Sequence, residues 1–384
     1  MSTSAPSSVP RTLDVIPLVA VGSVGYVLFV PGAIPGTLID RFEIGYTAFG
    51  LLTSAPLLSI VLAQAPSGYL TARYSTTRVL LVATAVYVLL ASAIDVANSF
   101  LLLLALWTIW GLLGGAVLTV GATHIARLHQ GAVATRQQGL YGGVLTLGGA
   151  IAFLLAPLLL ARIGPIGLHT PGGFLGVPAI VVCWWYRNEA GTIPRNERNE
   201  RGTEAGSGWS SVRPTLTHPV VLVAAPCYMA SLGSYVTLST FVTAYFDSLG
   251  ASGPLNALVL LVASSGRAAG GVAVAHWRVQ NETFIAGGTV VAIVGFGVLA
   301  ASEWIVTAVS FPFGAIYGLA GDVTTSEGIA LAVVIAAGNV AALVLPAITG
   351  GIRDATGEYA GGFVLLGVIN AAAVTGVVWL QRKD

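Results

Sequence analysis

The hydrophobic pattern of this chain is a series of long apolar runs broken by short polar stretches. It is neither the two-residue alternation of strands nor the narrow stripe of a soluble helix. A bilayer core of roughly 30 Å takes about 20 apolar residues per helix. That length predicts twelve spans, at 13–38, 46–71, 78–96, 100–126, 138–162, 164–186, 218–246, 252–275, 283–301, 303–321, 327–351 and 359–380. Six lie on either side of residues 187–217, which hold nine of the 33 charged residues. This Arg/Glu/Gly segment reads as a solvated tether. The expected fold is an all-α integral membrane protein, with twelve transmembrane helices in two pseudo-symmetric six-helix bundles. The N-terminal bundle covers 1–186, the cytoplasmic linker 187–217 and the C-terminal bundle 218–384.

Composition agrees with burial in lipid. Mean hydropathy is +0.85 and 9% of residues are charged, against about a quarter in soluble domains. Cys183 and Cys227 both lie in apolar runs, so neither a disulfide framework nor a metal cluster is expected. The net charge of +1 comes without basic-aromatic patches, which argues against nucleic acid as a partner. The polar opening MSTSAPSSVPRT is not followed by a cleavage-site pattern, so the first span is expected to be retained.

The basic residues orient the chain. With the N-terminus cytoplasmic, fourteen of the seventeen Lys and Arg residues fall on or towards the cytoplasmic side, and Arg41, Arg162 and Arg353 fall outside. One missing or extra span would scramble this bias. The expectation is a multi-pass protein of the cell membrane with both termini cytoplasmic.

The two halves carry matching motifs. Gln64-Ala-Pro-Ser-Gly68-Tyr-Leu-Thr-Ala72-Arg73 ends the second span, and Arg267-Ala-Ala-Gly-Gly271-Val-Ala-Val-Ala275-His276 ends the eighth. Aligned on Gly68 and Gly271, both place Ala and then a basic residue four and five positions later, and Gln64 matches Arg267. In the fifth and eleventh spans, Gly149 precedes Pro157 and Gly338 precedes Pro346 at the same spacing. Parallel six-helix repeats are a transporter architecture.

Over nearly its whole length the chain resembles the major facilitator superfamily. That family has a loop between spans two and three of the form G-x-L-x-D-R-x-G-R-[KR]. Here Gly68, Leu70, Arg73 and, one residue out of register, Arg78 match it; Ala72 replaces the Asp. The resemblance implies an inner-gate motif formed by Gly68, Arg73 and Arg78, with Gly271 and Arg278 in the second copy. The family's Arg early in span four is absent from Trp107-Thr-Ile-Trp-Gly111, and Gly350-Gly-Ile-Arg-Asp354-Ala-Thr-Gly357 is similar to its extracellular turn between spans eleven and twelve. The chain is also distantly similar to nitrate/nitrite and cyanate-type anion porters. Those hold the anion with an Arg in span two and another in span eight; Arg267 matches the second, while Gln64 stands in place of the first. The family implies alternating access, a coupling ion (a proton or a counter-substrate), a monomer and no cofactor.

Ionisable groups inside the bilayer are functional candidates by default. Arg267 lies about eight residues, roughly 12 Å, from the end of its span. A guanidinium there needs a carboxylate, carbonyls, water or an anionic substrate. Two readings stand side by side: packing on backbone carbonyls near an inner gate, and an anion site. The other substrate-binding candidates are Gln64, Asn339, Tyr26, Tyr141 and Tyr235. Asn339 has interhelical hydrogen bonding as its plainer reading, and the tyrosines have packing. His124, near the end of span four, reads as a wetted interfacial histidine. Glycines 111, 114, 115, 139, 142, 143, 148 and 149 are expected to form small-residue helix contacts, and Pro157, Pro312 and Pro346 to kink their helices.

The leading function is secondary transport of a small solute, organic or inorganic and anionic on the strength of Arg267. The alternatives are a drug or metabolite efflux permease and a transporter-like sensor. An ATPase would need a Walker motif, and a membrane enzyme would need clustered His or carboxylates at membrane depth; the sequence has neither.

Overall fold

The structure is a computed structural model that describes residues 11–129, 131–187, 217–250, 256–257, 261, 281–301 and 327–381. Among the described residues every regular element is a helix: α1 (Arg11–Ala33), α2 (Pro35–Phe42), α3 (Tyr46–Arg73), α4 (Thr76–Asp95), α5 (Phe100–Leu128), α6 (Gly131–Ile163), α7 (Thr170–Phe174), α8 (Val177–Trp185), α9 (Pro219–Ser248), α10 (Asn281–Ala301), α11 (Glu327–Thr356) and α12 (Ala360–Gln381). In hydrocarbon a helix satisfies its own backbone groups, which is why the apolar runs take this form. Seven of these helices, α1, α3, α4, α5, α6, α9 and α12, are long and apolar enough to cross a membrane by length and composition.

The element boundaries correct several expectations. The first span is expected to run through residue 38, but the helix stops at Ala33: Ile34, the residue before Pro35, leaves the helical region (φ −136°, ψ 46°), and Pro35 opens the separate α2. The sixth span, expected whole from 164, starts at Thr170 and breaks between α7 and α8 at Leu175–Gly176. Gly164 and Gly167, at φ +79° and +92°, turn the chain before it. The eleventh helix runs to Thr356, five residues beyond the expected end. The expected spans at 252–275 and 303–321 lie outside the described residues but for Asn256, Ala257 and Leu261, and Pro312 lies in the second of them.

In the first half α1 packs along α6 and α3 along α5, while α4 sits between α5 and the α7–α8 pair; in the second, α9 packs along α11 and α10 along α12. Glycine sets these distances. A Cβ on Gly111 would lie 2.7 Å from Pro56 Cα, and one on Gly115 would lie 2.6 Å from Ile60 Cα, so α5 rests directly on the α3 backbone. Gly25 meets the Leu145 backbone, and Gly148 meets the Gly22 carbonyl. The expected α6 face holds only in part, since Gly139 and Gly142 face open space. Trp107, Trp110, Tyr26, Tyr87 and Phe153 are fully buried, whereas Leu89 and Leu101 are 71% and 76% exposed. On a soluble monomer such side chains would make an aggregation patch; on a bilayer helix they are the lipid surface.

The helices run back and forth, so Arg73, Arg78, Arg127 and Arg187 gather at one end of the molecule, here the basic end. Arg78 Nε donates to the Arg187 carbonyl at 3.2 Å and Arg127 donates to the Thr71 carbonyl at 2.9 Å. The far end carries α2, the end of α11 and the start of α3.

Candidate functional site

The two halves meet along α3 with α11 and α1 with α9. Near the far end Gly50 of α3 lies under the Pro346 backbone, where a Cβ would sit 2.5 Å from the carbonyl oxygen; Gly350 likewise abuts the Tyr46 carbonyl, and Gly32 of α1 abuts the Ser239 carbonyl. Thr240 Oγ1 donates to Thr53 Oγ1 at 3.2 Å. The rings of Phe29 and Tyr235 meet edge to face at 5.9 Å. Between these contacts lies a cavity of about 30 Å³, lined by Leu28, Phe29, Gly32, Thr53, Leu57, Val236, Ser239 and Thr240. It has room for about one or two waters.

Asp354 closes the far end of this seam. Its Oδ1 accepts from Tyr46 N at 3.0 Å; its Oδ2 accepts from Thr47 N at 2.9 Å and from Thr47 Oγ1 at 2.6 Å. A carboxylate from the second half thus caps the first turn of α3, where backbone donors have no helical partner. Desolvation pushes the Asp354 carboxyl up, but the hydrogen bonds from Thr47 and Tyr46 and the nearby Arg353 guanidinium outweigh it and hold it below the usual carboxylate range. Arg353 lies over the rings of Tyr46 and Tyr359, at 5.4 and 4.8 Å.

The substrate-binding candidates separate spatially. Tyr235 stands at the half–half seam. Tyr26 turns into the first half, its ring against Gly172. Tyr141 hydrogen-bonds the Val117 and Leu118 carbonyls at 3.1 and 3.0 Å, so its hydroxyl joins α6 to α5. Gln64 is half-buried on α3, and Asn339 is half-buried on α11 beside Gly338, which abuts the Tyr228 ring. Arg267 lies outside the described residues, as do Gly271 and Arg278. In the first copy of the gate motif Gly68 faces open space, Arg73 lies 4.3 Å from the centre of the Tyr69 ring, and Arg78 reaches Arg187.

His124 is not the wetted histidine the sequence suggested. It is fully buried. Its Nε2 lies 3.2 Å from the Leu13 carbonyl, which can only accept, so that nitrogen carries the proton. Nδ1 then accepts from Thr76 Oγ1 at 2.7 Å. The ring fastens α5 to α1 and α4. Nearby, His129 Nε2 meets Asp14 at 2.9 Å.

Sequence reasoning passed over a further pair. Asp95 ends α4 and His169 precedes α7, with side chains 3% and 5% exposed and Nδ1 2.7 Å from Oδ1. The signal for Asp95 was a lone acid at a predicted span end, a place where acids ordinarily face water.

The family model of the Major Facilitator Superfamily matches residues 16–326. No curated protein matches the chain by sequence. A similar solved structure is that of a bacterial homologue of the human lysosomal transporter Spinster, in an inward-facing and unoccupied conformation. It is 16% identical, with a TM-score of 0.73, over 98% of each chain. At that identity the likeness is one of fold.

Proposed function

The chain belongs to the Major Facilitator Superfamily and is a membrane transporter, and from that premise we propose that it is a secondary active transporter moving a small solute by rocker-switch alternating access. The moving bodies are two six-helix bundles, 1–186 and 218–384, joined by the 187–217 linker. The observation that carries this reading is the seam at the far end, where Gly50, Gly350 and Gly32 bring the backbones of opposite halves into contact. Smooth backbone contact closes a pathway and parts again without unpacking large side chains. The arginine bias supports a cytoplasmic basic end, which makes the closure extracellular and this conformation inward-facing.

The solute is a small anion on the strength of Arg267, with Gln64 and Asn339 as polar partners and a proton or counter-substrate as coupling species. Counterflow in proteoliposomes tests this: a labelled small monocarboxylate should exchange, Arg267→Ala should abolish exchange, and Arg267→Lys should retain it if charge alone matters. Saturable exchange that survives Arg267→Ala removes the residue from the site. The lining of the seam, aliphatic and aromatic side chains with a few hydroxyls, supports a second reading, efflux of an apolar drug or metabolite; the cavity there, with room for one or two waters, would have to open wider to admit one. A ligand-stabilisation screen across anions, sugars, amino acids and drugs separates the two.

A further inference from the structure

Arg78 and Arg187 share the basic end of the α4–α8 pair. Arg78 Nε donates to the Arg187 carbonyl at 3.2 Å. Arg187 donates from a terminal nitrogen to the Trp184 carbonyl at 2.6 Å, and its guanidinium lies 3.9 Å from the centre of the Trp184 ring. The remaining N–H donors of the two forks, planar sets suited to a phosphate, have no acceptor among the described residues. Neither arginine meets a carboxylate there. Among the described residues of the first half Asp14 is the acid at this end, and it pairs with His129. The linker sequence holds no surplus negative charge: Glu189, Glu197, Glu200 and Glu204 are matched in number by the arginines from Arg195 to Arg213. Arg78 also stands in the first turn of α4, where the helix dipole opposes a cation. Two guanidiniums without a counter-charge call for an anion.

Their surroundings select the kind of anion. Val82 and Val86 follow Arg78 at four-residue steps, so the three lie along one face of α4, and both valines are exposed. On α8, Val181 is exposed, as are Trp184 and Trp185, at 58% and 77%. Indole rings are enriched at the level of lipid headgroups. The charged pair therefore tops an apolar, lipid-facing strip, with two interfacial rings beside it. Free phosphate would use the charges alone. A phospholipid uses both features, its phosphate on the guanidiniums and an acyl chain along Val82 and Val86.

We propose that Arg78 and Arg187, with Trp184 and Trp185, form a binding site for the headgroup of an anionic phospholipid at the basic end of the first half. The bound phosphate neutralises both guanidiniums and ties the start of α4 to the start of the linker. In the orientation proposed above this end meets the cytoplasmic leaflet, whose surface is negative. The site rests on that orientation and is independent of the solute.

Native mass spectrometry of the full chain, titrated with phosphatidylglycerol or phosphatidylcholine, tests the site. Phosphatidylglycerol should bind more tightly, and Arg78→Gln/Arg187→Gln should weaken it roughly ten- to thirtyfold, about fivefold for each basic residue. Arg73→Gln/Arg136→Gln removes the same charge from the same end and should change affinity by no more than about twofold; an equal loss in both pairs overturns the site in favour of diffuse attraction. Trp184→Leu/Trp185→Leu should weaken binding several-fold. Inorganic phosphate at millimolar concentration should leave the lipid bound, and displacement by it overturns the assignment to a lipid. Should the glutamine pair fail to fold, the wild-type chain in nanodiscs decides: phosphatidylglycerol with brominated chains should quench tryptophan fluorescence more than brominated phosphatidylcholine at the same fraction. Equal quenching overturns the proposal.

Discussion

Asp354 and Thr47 join the two halves of the protein: one carboxylate oxygen at the end of α11 takes both the backbone N–H (2.9 Å) and the hydroxyl (2.6 Å) of a residue in the first turn of α3. In the alternating-access cycle proposed above, this contact is made only while the far end is closed. It therefore favours the conformation described here over one in which that end opens.

Asp354→Asn should weaken the closure. Losing a helix cap costs roughly 0.5–2 kcal/mol, and the exposure of this carboxylate places the effect near the low end. Spin labels across the far end should report a roughly two- to fivefold rise in the open population. Unchanged distance distributions would falsify a latching role for Asp354.

The same latch responds to acid. The Asp354 pKa is lowered where its hydrogen bonds exist, so its contribution is fully present above the ordinary carboxylate pKa. It is lost as pH falls through the lowered value. The open population should therefore rise below about pH 4, and Asp354→Asn should flatten that part of the profile. A wild-type profile that the substitution leaves intact assigns the acid response to another group.

Glycine contacts sort into tight and open ones. Gly115→Val forces a side chain onto the Ile60 backbone and should cost about 1–3 kcal/mol by overpacking. Gly139→Ala enters open space and should leave stability unchanged or slightly raised. Thermal unfolding of the two purified variants checks the contrast; an equal loss in both would mean that close backbone approach is not what Gly115 provides.

Gly50→Val should act on function more than on folding. Its Cβ would press on the Pro346 carbonyl of the other half, so full closure of the far end is blocked while each half still packs. Cysteine-labelling rates at far-end positions should increase, and counterflow should fall by tenfold or more. Normal exchange with normal labelling would show that the seam has slack.

His124 is a structural pin. Replacement by Ala removes hydrogen bonds to Leu13 and Thr76 and opens a buried space, so it should cost about 2–4 kcal/mol. The pH profile of counterflow should keep its shape at reduced amplitude, because both ring nitrogens are engaged inside the fold, on the Leu13 carbonyl and the Thr76 hydroxyl. A displaced pH profile would give His124 a part in proton transfer after all.

Much of the scaffold was legible beforehand because lipid reads the chain locally. Leu101 and Leu89 face outward for the same reason that their runs looked membrane-spanning. The close-approach roles of Gly111 and Gly115 were legible too, since small residues four apart share a helix face. Gly139 and Gly142 fit the same pattern and proved empty of neighbours, because spacing does not say whether a partner helix lies opposite. The sixth span misled for a related reason: its apolar run continues through the turn at 164–169, and hydropathy does not register positive-φ glycines.

The sequence by itself determined that the chain is helical, apolar and multi-pass. These properties come from neighbouring residues meeting a solvent. Only the tertiary structure decided that Asp95 meets His169 across 74 residues, and that Asp354 caps α3 across 307. A lone acid at a span end looks the same in sequence whether it faces water or another helix. What distinguishes the two cases is the helix that folds against it, because a buried carboxylate is tolerable only where donors converge on it.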